Sequence, residues 1–158
     1  MTAWNGTWRH RPRDKALNYM ALARKAGLIE LGEEPVGALT RANHAKLVVV
    51  ASDASDHTWR RALSFVSGTS QSCLRIPFTK DEMGMAVGRA SLAIAAFTDP
   101  ALALAFVKAL NQPEKYGKVL ENLQERTERA RQRQKEQKAH LKNKQMHKLH
   151  HSGPKKEH

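Results

Sequence analysis

Polar side chains that could take part in catalysis follow one aliphatic segment of the chain. Ser52, Asp53, Ser55 and His57 come directly after the run Leu47–Val50. A serine, an aspartate and a histidine could form a hydrolytic site, but closeness in sequence does not give triad geometry, and the chain has no GxSxG elbow. Helix capping and turn hydrogen bonds explain these residues better, so we predict that the protein is not an enzyme.

Metal and cofactor sites are also not predicted. His147 and His151 are four residues apart and could share a helix face, but no carboxylate or cysteine completes a ligand set, and solvated histidines are the better interpretation. The single cysteine, Cys73, excludes an intramolecular disulfide and a Cys-rich zinc site. The sequence contains neither GxGxxG nor a P-loop, so we expect no cofactor and no small-molecule substrate.

The charge of the chain points to a polyanionic partner. Lys and Arg number 27 against 15 Asp and Glu, which gives a net charge of +12. Nucleic acid is the favoured partner, while a solubilising charge or attraction to acidic lipid are the alternatives. The N-terminus has no apolar core of a secretory signal, and no run is long enough to span a membrane, so we expect a cytoplasmic protein.

Both ends of the chain differ from its middle. Residues 1–13 form a basic arm in which Trp4 and Trp8 alternate with arginines. These aromatic rings could stack on bases or pack back on the domain, and the sequence leaves both open. Residues 112–158 form a basic tail without a sustained heptad, so we predict a solvated helix to about residue 145. It would track phosphates or act as a solubilising extension.

The middle of the chain, residues 14–111, alternates helical and strand patterns. Strands are predicted at 28–31, 47–50, 73–76 and 92–97, with 47–50 in the centre because it is apolar throughout. Asp14, Asp53 or Ser55, Thr79 and Asp99 are the predicted helix caps, with Arg60 and Arg61 on the outer face of the third helix. This order predicts an α/β protein, a three-layer α/β/α sandwich with a four-stranded mixed sheet.

Two loops of this fold could make a binding site. Gly32-Glu33-Glu34 opens the second helix, where backbone N–H groups lack intrahelical acceptors. Gly88 to Ser91 is a partly basic loop before the last strand, and Gly84 in the preceding helix indicates a close approach to another element. If both loops lie at one edge of the sheet, they form a polar cradle for an irregular RNA.

Four segments resemble one family in order and spacing: ALARKAG at 21–27, LGEE at 31–34, AKLVVVASDAS at 45–55 and KDEMG at 80–84. It is the kink-turn RNA-binding ribosomal protein family of L-seven-Ae and L-thirty-e type, and the nearest branch is the bacterial YlxQ-like one. The resemblance covers about residues 14–111. It implies the α/β/α sandwich, no cofactor and no catalysis. It also implies binding of the sheared G·A pairs and bulge of a kink-turn.

The resemblance also implies which residues contact RNA. By position these are Gly32, Glu33, Glu34, Pro35, Ala38, the Asp53–Ser55 segment, Gly88, Arg89, Ala90 and Ser91. Basic residues nearby would add phosphate contacts, namely Arg24, Lys25 and Lys46.

The sequence departs from the family pattern at the start of the second helix. Archaeal-type members have Asn then Glu after the glycine turn, and Lys one helical turn later. Here these positions hold Glu34, Pro35 and Ala38. Glu34 can accept a hydrogen bond from guanine but, unlike asparagine, cannot donate one.

We therefore predict a non-enzymatic RNA-binding protein that is ribosome-associated and recognises structured, kink-turn-like RNA. Its partners would be ribosomal or other structured RNA and the ribosome, placing it among the cytoplasmic ribonucleoproteins of translation. The alternative is a protein-interaction module that kept the fold and lost specific RNA readout, and a large exposed apolar patch would favour it.

Overall fold

The computed structural model describes the backbone of residues 12–155 and the side chains of 15–112 and 115–146. These residues form four strands: β1 Ile29–Leu31, β2 Leu47–Val50, β3 Cys73–Arg75 and β4 Ile94–Phe97. They also form six helices: α1 Pro12–Ala26, α2 Glu33–Arg41, α3 Asp56–Val66, α4 Lys80–Val87, α5 Pro100–Leu110 and α6 Pro113–Lys155. The predicted Trp/Arg arm falls almost wholly outside the described residues, and its positions 12 and 13 open α1.

The four strands form one mixed sheet in the order β1-β4-β2-β3. β4 runs antiparallel to both of its neighbours, β1 and β2, and β3 runs parallel to β2. The register pairs Leu31 with Ala95 and Val50 with Ile94. The end of β1, the end of β2 and the start of β4 therefore lie side by side. We call this end of the sheet, where these strand termini meet, the upper edge.

Helices cover both faces of the sheet, which explains the apolar run of β2. Leu47 and Val49 belong to the core under α1, α4 and α5, and Val48 and Val50 belong to the core under α2 and α3. All four side chains are fully buried, and each such burial stabilises the fold by about 1.5–3 kcal/mol. The predicted central strand and three-layer sandwich are confirmed.

Three predicted helix caps are confirmed. Ser55 Oγ accepts a hydrogen bond from Thr58 N–H at 3.2 Å, and Asp99 Oδ2 accepts from Leu102 N–H at 2.9 Å. Thr79 forms a full capping box at the start of α4. Each of these bonds joins residues three positions apart, as expected for an N-cap.

One predicted cap, Asp14, is wrong. Helix α1 begins at Pro12, so Asp14 lies inside its first turn. Proline is well suited to the first helical position, because its fixed φ is already helical and its missing N–H would have no intrahelical acceptor.

The packed part of the chain reaches beyond the predicted domain end at residue 111. The structure has two units, one ending at Gln124 and the other beginning at Glu125. Tyr116 and Leu123 of α6 are 2% and 0% exposed and belong to the core of the first unit. The first unit therefore includes the first turns of α6, which the sequence analysis assigned to the tail. The helix also continues to Lys155, past the predicted end near 145.

Candidate nucleic-acid interface

The start of α2 is an open helix N-terminus. Gly32 is its N-cap residue and makes no side-chain cap; its φ of 99° and ψ of 162° favour glycine. Its N–H donates to the Ile94 carbonyl oxygen at 3.0 Å, and its carbonyl oxygen accepts from Val36 N–H at 3.1 Å. Among the described residues, the N–H groups of Glu33 and Glu34 have no acceptor. The turn therefore leaves two amide donors for water or a ligand.

The loop before β4 folds tightly against α4. Gly88 ends α4 in the left-handed conformation, and Arg89 N–H donates to the Gly84 carbonyl oxygen at 2.8 Å. A Cβ placed on Gly84 would lie 2.7 Å from the Arg89 carbonyl oxygen and 2.9 Å from Ser91 Cα. The close approach predicted at Gly84 is confirmed, and the contact fixes the loop that carries Arg89, Ala90 and Ser91.

These two segments meet at the upper edge of the sheet. A Cβ placed on Gly32 would lie 3.9 Å from Arg89 Nη1 and 3.7 Å from Pro35 Cδ. The Arg89 side chain is exposed and makes no ion pair with a described residue. An unpaired guanidinium thus lies beside an uncapped helix N-terminus, and both groups favour a bound anion.

Asp53 and Ser55 lie near this edge, but their side chains make hydrogen bonds that stabilise the fold. Asp53 Oδ1 accepts from Lys80 N–H at 2.8 Å, so the side chain holds the first turn of α4 rather than α3. Ser55 caps α3 and also donates its hydroxyl to Thr58 Oγ1 at 3.1 Å. Their capping hydrogen bonds leave these two side chains less available to RNA than Arg89.

Three predicted contacts lie at the opposite edge of the sheet. Lys46 N–H donates to the Phe97 carbonyl oxygen at 2.8 Å, which places Lys46 at the start of β2 and the end of β4. Arg24 and Lys25 are exposed in the last turn of α1, just before β1. Strands of three or four residues separate these cations from the upper edge by about 10–14 Å. The structure therefore does not bring them together with Gly32 and Arg89.

Glu33 and Glu34, at the start of α2, have different surroundings. Glu34 is exposed, whereas Glu33 Oε1 lies 3.1 Å from Arg61 Nε of α3. The two atoms form an ion pair, but their geometry is not that of a hydrogen bond. Glu33 Oε1 is therefore buried without a hydrogen-bond donor among the described residues. The prediction that Arg60 and Arg61 lie on the outer face of α3 is confirmed, since both are exposed, and Arg61 additionally reaches Glu33 of α2.

A cleft of about 520 Å³ separates α2 from α3. It is lined by Glu33, Glu34, Pro35, Gly37, Ala38, Arg41, Arg61 and Phe65. Sequence reasoning missed Arg41 and Phe65. The available signal was the i,i+4 spacing of Arg61 and Phe65, which places both on one face of a helix.

The second unit is a basic helix. Residues 125–146 contain eight Lys or Arg and three Glu. The predicted pairs are present, Glu125 with Arg129 at 3.9 Å and Glu128 with Arg131 at 3.6 Å. All four side chains are at least 66% exposed, so each pair contributes only about 0.2–1 kcal/mol. Most of the positive charge of this segment remains available to an anionic partner.

Metal ligands do not cluster in the described part of the chain, where no three His, Cys, Asp or Glu side chains could hold an ion. His147 and His151 lie where side chains are not described. Cys73 is partly buried, and burial raises the pKa of its thiol to about 12, so it stays protonated at neutral pH. Over the described residues, no helix combines the length and the hydrophobicity that crossing a bilayer requires.

The chain is similar to a curated protein named RNA-binding protein YlxQ from Enterococcus faecium. The two are 35% identical over 77 residues, which is 49% of this chain and 74% of the relative. The chain belongs to the YlxQ family. This is the YlxQ branch of the L-seven-Ae and L-thirty-e fold, as the resemblance predicted. No protein-family model matches the chain.

Solved structures with the same fold are more distant in sequence from this YlxQ-family chain. A protein of unknown function from Bacillus halodurans has a TM-score of 0.58 and 21% identity, covering 62% of this chain and 98% of its own. The Giardia lamblia 15.5kD RNA binding protein has a TM-score of 0.53 and 18% identity, covering 66% and 88%. At these identities the likeness shows the fold alone.

Proposed function

We propose that this YlxQ-family protein is a non-enzymatic RNA-binding protein that recognises kink-turn-like RNA with the upper edge of its sheet. The observation that carries the proposal is the position of the Arg89 guanidinium beside Gly32, at the uncapped start of α2. This geometry joins the two segments that the family resemblance marks as RNA contacts. The name of the Enterococcus faecium relative supports the same partner class.

The edge offers complementary groups to a distorted RNA. The amides of Glu33 and Glu34 and the guanidinium of Arg89 are donors for phosphate or for base acceptors. The exposed Glu34 carboxylate is an acceptor for the N–H groups of a guanine displaced from Watson–Crick pairing. Sheared G·A pairs and bulged nucleotides present such groups, whereas a regular RNA duplex hides them in a deep, narrow groove.

The affinity of this site should be modest. Pro35 and Ala38 are exposed and supply neither the carboxylate nor the cation that the family pattern has at these positions. Each lost charged or bidentate contact costs about 1–3 kcal/mol. The basic helix over residues 125–146 would restore affinity through phosphates without adding sequence preference. Ribosomal RNA is the target class we favour, which would place the protein with cytoplasmic ribosomes.

The same fold could instead serve as a protein-interaction module. That function would need a large apolar patch near the start of α2. The large exposed apolar side chains described in the first unit are Leu22, Leu63 and Met85, and they lie on α1, α3 and α4. The start of α2 carries charges and open amides, so RNA is the better-supported partner.

The test is a pair of affinities measured at physiological salt. One RNA is a standard kink-turn, and the other has its G·A pairs changed to Watson–Crick pairs. We expect tighter binding to the kink-turn, because only that RNA presents the base edges of sheared G·A pairs to α2. Equal affinities for both RNAs would contradict kink-turn recognition, and no binding to either would contradict the RNA-binding function.

A further inference from the structure

We propose that the cleft between α2 and α3 holds one backbone phosphate of the bound RNA, gripped by Arg41 and Arg61. This inference rests on the proposed RNA-binding function and names a contact that the sequence did not predict. The cleft begins at the same turn of α2 that carries the open amides, so an RNA strand crossing that turn can continue into it.

Arg41 lies beside Gly37, at the point where the Phe65 ring also approaches α2. A Cβ on Gly37 would lie 3.3 Å from Arg41 Nη1 and 3.1 Å from Phe65 Cζ. The absence of a side chain at Gly37 therefore lets the guanidinium and the tip of the ring lie against α2 together. Arg41 makes no ion pair with any residue whose side chain the structure describes, so its charge is available.

Arg61 approaches the same ring from α3. Its guanidinium carbon is 5.5 Å from the centroid of the Phe65 ring, a cation–π distance. Its Nε lies 3.1 Å from Glu33 Oε1, and its two terminal amino groups remain as donors for a ligand. Phe65 therefore contacts the Arg61 guanidinium on α3, while the tip of its ring and Arg41 Nη1 both approach Gly37 on α2. Two guanidiniums lining one cleft suit a tetrahedral phosphate, since each can donate two parallel hydrogen bonds.

The cleft has little net charge, which favours one specific phosphate contact over general attraction of RNA. Glu33 and Glu34 line the cleft with the two arginines, so the four charges cancel. Glu33 pairs with Arg61, whereas neither Arg41 nor Glu34 has an ion-pair partner among the described residues, so Arg41 can neutralise a phosphate that enters the cleft. The family pattern has a lysine at the position of Ala38. The alanine adds no charge to the cleft and leaves more space there.

The experiment compares Arg41→Gln, Arg61→Gln and the double variant with Arg60→Gln in the full chain. Arg60 is the matched control, because it is an exposed neighbour on α3 that does not line the cleft. Affinity for the kink-turn RNA and for its Watson–Crick-paired counterpart is measured at several NaCl concentrations. Thermal unfolding followed by circular dichroism checks that each variant is folded.

We expect each cleft substitution to weaken kink-turn binding about tenfold and to lower the slope of log K against log salt by about 0.7–0.9, the loss of one phosphate contact. Because both arginines hold the same phosphate, the double variant should lose no more slope than Arg41→Gln alone. Arg60→Gln should leave the slope unchanged. Arg41→Gln keeps the Glu33–Arg61 pair, so its result stands even if Arg61→Gln unfolds.

The outcomes separate this inference from the proposed function. If the wild-type protein prefers the kink-turn and the cleft variants behave like Arg60→Gln, the phosphate contact is wrong and the function stands. An additive loss of slope in the double variant would also overturn it, since two separate phosphates would then be bound. If wild type binds both RNAs equally while the cleft variants lose slope, kink-turn recognition fails and the phosphate contact stands. If wild type binds neither RNA, both proposals fail.

Discussion

The starts of α2 and α4 lie at the same edge of the sheet and differ in how their amides are satisfied. At α4, Thr79 Oγ1 accepts from Glu82 N–H, Glu82 Oε1 accepts from Thr79 N–H, and Asp53 Oδ1 accepts from Lys80 N–H. At α2, no side chain caps the first turn. Both first turns carry two acidic residues, so the helix dipoles are similarly complemented and the capping alone differs.

This difference suggests different roles for the two helix starts: that of α4 stabilises the fold, and that of α2 can bind a ligand. A capped start such as that of α4 adds about 1 kcal/mol of stability, and the N–H groups of Lys80 and Glu82 are occupied by side-chain acceptors. An open start forgoes that stability and keeps its donors for a ligand. At this edge, the helix that begins after Thr79 is capped by side chains, whereas the helix beside Arg89 is not.

The largest effect is expected from Gly84→Ala. The new Cβ would meet backbone atoms of Arg89 and Ser91 at 2.7–2.9 Å, so the loop must move. We expect a loss of about 3 kcal/mol in the free energy of unfolding, measured by urea denaturation, together with weaker kink-turn binding. Gly117→Ala is the control, because nothing lies within 4 Å of its Cβ position. Equal stability of the two variants would show that the loop is not held by this contact.

Gly32→Ala tests the backbone of the open turn. Its Cβ would have ordinary contacts, 3.7 Å to Pro35 Cδ and 3.9 Å to Arg89 Nη1, but φ of 99° is strained for alanine. We expect about 2 kcal/mol of destabilisation in the same denaturation assay. A neutral result would mean that the turn can adopt another conformation, which would undermine the geometry of the site.

Arg89→Gln removes the cation beside the open turn. The side chain is exposed and unpaired among the described residues, so the free energy of unfolding should not change. Kink-turn affinity should fall about tenfold, equivalent to ~1.4 kcal/mol, with a smaller fall for the Watson–Crick-paired RNA. Fluorescence anisotropy with both RNAs measures this. Unchanged affinity for both RNAs would remove Arg89 from the interface.

The smallest effect is expected from Thr79→Ala, which opens the start of α4. Losing the capping box should cost about 1 kcal/mol of stability in urea denaturation. RNA affinity should stay the same, because the capped start of α4 is not part of the proposed interface. If this variant instead lost its kink-turn preference, the distinction between the two helix starts would be wrong.

The sequence predicted the local features of the fold well. The caps at Ser55, Thr79 and Asp99 act over three residues, so their spacing is visible in the sequence. The aliphatic run of β2 is visible too, since helices cover both faces of its sheet. The end of the packed unit was harder to predict, because Leu123 follows the change to tail-like composition and is nevertheless fully buried.

The site depends on contacts between residues that are distant in the chain, and these contacts could not be predicted from the sequence. The Asp53 cap reaches Lys80, 27 positions away, so Asp53 looked like a cap for α3. Arg41 and Phe65 both approach Gly37 because α2 packs against α3 there. The separation of Lys46 from Arg89 depends on strand direction in the mixed sheet. Pattern reasoning and family resemblance found the start of α2 and the Arg89 loop, and the sheet brings these two together.

The most direct test of this account is the change in backbone amide and arginine Nε–H NMR signals of the full chain when kink-turn RNA is added. We predict that the backbone amides of Glu33 and Glu34 and the side-chain Nε–H signal of Arg89 shift. The amides of Lys80 and Glu82 should keep their positions, because their N–H groups already have side-chain acceptors. Shifts confined to residues 125–146, or equal shifts at the two helix starts, would contradict the claim that the open start of α2 is where RNA binds.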